Sequence, residues 1–303
     1  MNLKVKKVRQ FSGHEGSIYT LMAGRKPGTV ISAGADGYIV EWAPAKDNEG
    51  TLLANADSQL FSALIINYGK GLLAGRMKGD VLLLDMAGGR SALKLATEGR
   101  TVFSLAVSGP WILAGTADGY LYVWDKISGE LYEKREVAPQ SLRRILVVPE
   151  RSEIFLASSD RHIYVLDAEN LALKHRWQAH DQSVFCLLWL PTRQWLVSGG
   201  RDATLRFWDA GSAFEPFHAI PAHRLTINDL AVGADEKLLA TAGRDKEVRI
   251  WSLDNFQLLK VIEAEREGGH RHSVNALHYD SHDGLLYSAG DDRQIVAWQI
   301  DGF

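Results

Sequence analysis

The chain has 303 residues, 46% apolar and 23% charged, which are ordinary globular proportions and argue against extended disorder. A formal net charge of -3 excludes a protein whose main business is the nucleic-acid backbone, and the single cysteine, Cys186, excludes an internal disulfide framework or a multi-cysteine zinc site. No apolar run approaches the ~20 residues of a membrane helix. Residues 1–7 lack the apolar core of a secretion signal, so a soluble, cytoplasmic protein with no membrane partner is expected.

In chain order, residues 3–10 (LKVKKVRQ) read as a strand whose Lys4, Lys6, Lys7 and Arg9 are solvated charges guarding an edge. Residues 18–21 predict a second strand. Residues 30–34 then lead through Ala35-Asp36-Gly37 into residues 38–42, two β-rich segments joined by a tight turn, with a further strand at 52–54. The pattern recurs. Trp42, Leu84, Trp124, Leu166, Trp208, Trp251 and Trp298 close matching runs spaced 42, 40, 42, 42, 43 and 47 residues apart. Six residues before each lies Asp36, Lys78, Asp118, Asp160, Asp202, Asp245 or Asp292. Four short strands per ~42 residues is the arithmetic of a propeller blade, and no segment holds the 3.6-residue period that a helical solenoid requires.

Twenty-eight residues before four of the tryptophans stands His14, His180, His223 or His270. With Gly13-His14 near the start of a unit, the turn Asp, and Trp-Asp at Trp124-Asp125 and Trp208-Asp209, the units resemble WD repeats. Leu84-Asp85 and Leu166-Asp167 are weaker versions, and Trp42, Trp251 and Trp298 lack the following Asp. The resemblance covers residues 1–303 as one domain. It implies an all-β, seven-bladed β-propeller of four-stranded antiparallel blades. The last unit ends at Trp298 without an outer strand of its own, so the N-terminal strand is expected to complete that blade.

A Ser or Thr also sits four residues before the turn Asp in the complete units. This gives His14/Ser32/Asp36/Trp42, His180/Ser198/Asp202/Trp208, His223/Thr241/Asp245/Trp251 and His270/Ser288/Asp292/Trp298. In units 2 to 4 the histidine and the hydroxyl are lost together, as Ala56 with Ala74, Glu98 with Ala114 and Ala138 with Leu156. Joint loss is what a shared buried hydrogen-bond network predicts, because a half-satisfied network costs more than an apolar one. Units 2 to 4 are accordingly expected to be the softer sector. A Ser-His-Asp set invites a hydrolase reading, but catalysis needs one exposed nucleophile beside an oxyanion site, and four copies suggest architecture. The histidines at 270, 272, 278 and 282 show no paired-ligand spacing. No catalytic, cofactor or metal residue is therefore expected, and no enzymatic activity.

Function is then left to the blade faces, and the resemblance implies docking on the face that carries the Asp turns. Two positions per blade point there. The residue after the first apolar residue of the first strand is Tyr19, Phe61, Phe103, Arg143, Phe185, Asn228 or Asn275. The residue before the turn Asp is Ala35, Met77, Ala117, Ser159, Arg201, Arg244 or Asp291. Tyr, Phe and Arg are the side chains that anchor interfaces. A non-enzymatic scaffold that docks a protein or peptide is the leading expectation, with the chain a monomer or a subunit of a larger complex and no nucleic-acid partner. A reader of modified or cationic side chains through an aromatic cage is the alternative, and a propeller enzyme is the remotest one. The arginines favour an acidic ligand, while the acidic loop at 263–269 would suit a basic one.

Overall fold

A computed structural model describes residues 3–43, 49–86, 92–233 and 235–301. The fold is the expected all-β propeller: seven four-stranded antiparallel sheets, each built from strands in sequence order except the last. Blade 1 comprises Ile18–Ala23, Val30–Gly34, Tyr38–Trp42 and Gly50–Asn55. The first strands of blades 2 to 7 are Leu60–Ile66, Val102–Ser108, Leu142–Val148, Val184–Leu190, Ile227–Val232 and Val274–Asp280. Two compact units are distinguished. Residues 1–57 with 223–303 hold blades 1, 6 and 7, and residues 58–222 hold blades 2 to 5.

Burial follows position in the blade. Second strands such as Val30–Gly34 and Glu153–Ser158 are buried throughout, so they read as unbroken runs rather than alternating ones. Outer strands such as Leu173–Gln178 are mostly exposed. The cores lie between neighbouring sheets. In the first unit Trp298 and Leu286 of blade 7 pack with Ala242, Val248 and Ile250 of blade 6. In the second, Phe155 and Val165 of blade 4 pack with Leu196 and Trp208 of blade 5.

Every first strand departs from its ladder at the same place. Ile18 pairs with Gly34 and Thr20 with Ala33, so Tyr19 is an extra, unpaired residue. Phe61, Phe103, Arg143, Phe185, Asn228 and Asn275 are skipped in the same way in the other six blades. A β-bulge bends its strand and re-aims the side chain of the extra residue. The seven positions read from sequence as facing the docking surface are thus the seven bulge residues.

The last blade takes its outer strand from the N-terminus. Lys4–Ser12 runs antiparallel to Gln294–Asp301, from Lys4 opposite Asp301 to Ser12 opposite Gln294, skipping Val8. Phe11 is 1% exposed in this pairing. Deleting residues 1–10 is expected to lower the melting temperature and to cause self-association through the bared edge of blade 7. Calorimetry and size-exclusion chromatography check this, and a truncated chain that stays monomeric and melts with wild type would refute it.

Candidate functional site

Four blades carry the histidine–hydroxyl–aspartate–tryptophan set as a continuous hydrogen-bonded chain. In blade 1, His14 Nδ1 lies 2.8 Å from Asp36, His14 Nε2 lies 2.7 Å from Ser32 Oγ, and the Trp42 indole N–H donates to that oxygen at 2.8 Å. The corresponding distances are 3.0, 2.8 and 2.9 Å around Ser198 in blade 5, 2.9, 2.7 and 3.0 Å around Thr241 in blade 6, and 3.0, 2.8 and 2.8 Å around Ser288 in blade 7. With Nδ1–H donating to the carboxylate, Nε2 of a neutral ring accepts the hydroxyl proton, while the hydroxyl oxygen takes the indole N–H. The hydroxyl is therefore spent on both sides, and all four of these residues are 0% exposed. A Ser-His-Asp geometry is present, but no substrate reaches its oxygen.

Burial alone would raise the carboxyls of Asp202, Asp245 and Asp292. The hydrogen bonds from His180, His223 and His270 outweigh it, together with backbone amides and, at Asp245, the charge of Arg249, and hold all three below the usual carboxylate range. His223, Asp245 and Glu247 also stand close enough together to suggest a metal centre. They are engaged otherwise, for Glu247 is paired with Arg224 at 2.9 Å and Arg249 at 2.6 Å, and Asp245 with His223.

Blades 2 to 4 lack this chain but are not left without one. In blade 3, Arg100 enters where the histidine is missing, bonding Asp118 and Glu98 and donating to the Tyr122 hydroxyl at 3.0 Å. In blade 4 the Tyr164 hydroxyl donates to Asp160 at 2.5 Å. Blade 2 carries a buried Arg76 paired with Asp80. Tyr122 and Tyr164 occupy the same register, two residues before Trp124 and Leu166, a signal that was open to view in the sequence. The expected soft sector therefore has substitutes for its missing bonds.

The bulge residues of blades 2 to 5 form one stack. The Phe61 and Phe103 rings meet edge to face at 5.2 Å, and the Arg143 guanidinium lies 4.3 Å from the ring centres of both Phe103 and Phe185. Desolvation between the rings pulls the guanidinium down to about 10, so it remains charged at neutral pH. Among the described residues no carboxylate pairs with it. A cation cage between Phe103 and Phe185 is accordingly already filled by the chain's own arginine.

Blades 6, 7 and 1 use their bulges differently. Asn228 Nδ2 donates to Val274 O at 2.7 Å and to Ser273 Oγ at 3.0 Å, and Asn275 Nδ2 donates to Asp291 at 2.7 Å and to Ile18 O at 3.1 Å. These two proposed contact residues thus tie blade to blade. Tyr19 is half-buried at its bulge in blade 1. Asn275 touching Asp291 also demonstrates that the two face positions of a blade are neighbours.

Of the residues before the turn Asp, Met77, Arg201, Arg244 and Asp291 are exposed and Ala35, Ala117 and Ser159 are half-buried. Ser159, Arg161 and Arg201 line a cavity of about 530 Å³ with Gln140, His162 and Asp181. Among the described residues neither Arg161 nor Arg201 has a side-chain ion pair, whereas Asp181 is taken by Arg206 at 3.1 Å. The acidic loop is a short helix, Ala264–Glu267, whose carboxylates are mostly engaged. Glu267 pairs with Lys260 at 2.6 Å and Glu263 with Arg266 at 3.0 Å, so its suitability for a basic ligand is largely cancelled.

Replacing Ser198 by Ala is expected to cost about 1–3 kcal/mol, because it strands both His180 Nε2 and the Trp208 indole N–H. Denaturant titration of the variant measures this. The lowered aspartates set the pH dependence. Their stabilising contribution is complete above the unfolded-state value of about 3.9 and is lost as pH falls through the lower folded values. His270→Ala removes the largest of the influences that depress Asp292, so acid unfolding followed by tryptophan fluorescence should begin at a higher pH than in wild type.

The chain was compared with known proteins. The family model described as WD40, "WD domain, G-beta repeat", matches residues 93–125, 172–209, 214–252 and 259–299. The chain is 27% identical over 112 residues to Protein ROOT INITIATION DEFECTIVE 3 of Arabidopsis thaliana, covering 33% of this chain and 26% of that protein. It is 29% identical over 146 residues to Nuclear distribution protein nudF of Aspergillus niger, covering 47% and 33%. The chain thus spans about a third or less of the length of these relatives. Among solved structures, the crystal structure of the WD40 beta propeller domain of Doa1 superposes with a TM-score of 0.83 over 98% of this chain and 97% of that one at 18% identity, a likeness of fold. Repeat register, sheet topology and these matches agree: the chain belongs to the WD-repeat β-propeller family, whose members generally serve as protein-interaction scaffolds.

Proposed function

We propose that this protein docks a partner protein or peptide on the Asp-turn face of blades 2 to 5, through an acidic group of the partner placed beside an apolar one. The single observation that carries this reading is Arg143, held between Phe103 and Phe185 with no carboxylate partner among the described residues. A partly desolvated guanidinium gains most from a charged acceptor, and Arg suits a planar carboxylate or a phosphate. Phe61 and Phe103 supply the apolar anchor beside it, and Arg161 and Arg201 extend the positive surface along the 530 Å³ cavity. Buried aromatic and arginine anchors carry most of the energy in protein interfaces, while rim charges mainly steer the approach.

The test is affinity capture from a lysate of the source cells with wild type, Arg143→Met and the triple variant Phe61→Ala/Phe103→Ala/Phe185→Ala, each first shown to be folded. Loss of a charge-assisted bond of about 1.5–3 kcal/mol weakens binding roughly 10- to 100-fold. Partners should therefore be retained by wild type, lost from both variants and released by salt. An unchanged set of partners on either variant would sink the reading.

A further inference from the structure

The first unit contains a cavity that no blade network uses. It measures about 270 Å³ and lies between blades 6 and 7, at the strand ends away from the Asp turns, lined by Ala231, Ala240, Ile250, Tyr279, Leu286 and Asp235. Two alanines paired across strands, Ala231 and Ala240, line it. Five residues before the turn position, the other six blades carry Ile31, Leu73, Leu113, Phe155, Val197 and Tyr287, and blade 6 alone carries Ala240. A close-packed core fills such a position, and an alanine there leaves the volume of the missing side chain.

The mouth is polar, with Gly233 and Gly284 beside Asp235 and Tyr279. A Cβ on Gly233 would stand 3.5 Å from Asp235 Oδ1 and 3.9 Å from the Tyr279 ring, and one on Gly284 would stand 4.0 Å from the Tyr279 hydroxyl. Among the described residues that hydroxyl has no hydrogen-bond partner. Asp235 accepts the Lys237 amide at 3.3 Å and meets the Lys237 ammonium only at 3.7 Å. Burial, with Asp235 and Asp283 nearby, pushes the Tyr279 hydroxyl up, so it stays neutral, and its oxygen can accept a hydrogen bond.

We infer that this cavity is a binding site for a small neutral ring compound bearing one N–H or O–H donor, of the class of indole and phenol, with the ring against Ala231, Ala240 and Leu286 and the donor towards Asp235 and Tyr279. The size fits. An apolar cavity of about 150 Å³ accepts benzene, so one of 270 Å³ has room for a fused bicyclic ring. The chemistry fits too, because polar groups set among apolar ones in a mixed pocket orient a ligand as well as hold it.

Indole and N-methylindole are the probes, titrated into the full chain with isotope-labelled methyl groups. Indole should give saturable shifts at Ala231, Ala240 and Ile250 with a Kd of about 1 mM or tighter. N-methylindole keeps the ring and loses the donor, so it should bind at least about threefold more weakly. Ala240→Leu restores the side chain used in blades 2 and 3 and should weaken indole at least about tenfold while the melting temperature holds or rises. The absence of saturable shifts at those methyls overturns the site, as does equal indole affinity in a folded Ala240→Leu. Equal affinity for the two probes overturns the assignment of the donor to Asp235 and Tyr279, and that comparison needs no variant.

Discussion

One extra residue in the first strand of each blade governs what the protein presents to others. A flat four-stranded sheet would send alternate side chains to its two faces, both of which pack on neighbouring blades. The bulge interrupts that alternation once, at Tyr19, Phe61, Phe103, Arg143, Phe185, Asn228 and Asn275, and frees one side chain per blade. The residues on either side of it, such as Val184 and Cys186, stay buried, so the blade loses no core in making the exception.

The chain spends those seven positions in two ways. In the second unit they are rings and a guanidinium, with Arg143 between two rings and, among the described residues, without a carboxylate partner. In the first, Asn228 and Asn275 turn inward to the carbonyls of the next blade's first strand, at Val274 and Ile18. A side chain whose donors are satisfied by its own backbone has little to offer a visitor, whereas a desolvated cation without a counter-charge has much. That contrast directs attention to blades 2 to 5.

The hydroxyl-centred chains show how the same mechanical task is met by different chemistry. Ser32, Ser198, Thr241 and Ser288 each bridge a histidine and an indole, so that loop, strand and turn of one blade become a single hydrogen-bonded object. Where the hydroxyl is absent, Tyr122 and Tyr164 reach towards the same turn from the third strand, with Arg100 standing in for the histidine of blade 3. Tyr122 and Tyr164 are buried like the residues they replace, but the Arg100–Asp118 pair of blade 3 is partly exposed, and a partly solvated ion pair contributes less than a buried neutral network.

The repeat register, the strand pattern and the set members of four blades were legible in the residues alone, because each depends on spacing along one blade of ~42 residues. The seven positions at a constant offset from the first apolar residue of each strand were singled out too, as face positions, though nothing in the sequence marked them as bulges. The partners of those positions were not legible. Whether Arg143 meets a ring or a carboxylate is decided by residues about 40 positions away in either direction, and Asn275 also reaches Ile18 of another blade; only blade-to-blade packing brings these together. The cavity at Ala240 belongs to the same category, for a small residue becomes a hole only when the neighbouring sheet fails to fill it. The sequence by itself thus determined the blades and their order. Tertiary packing decided which charges are satisfied and which are left to find a partner, because that is a property of facing surfaces and not of any one strand.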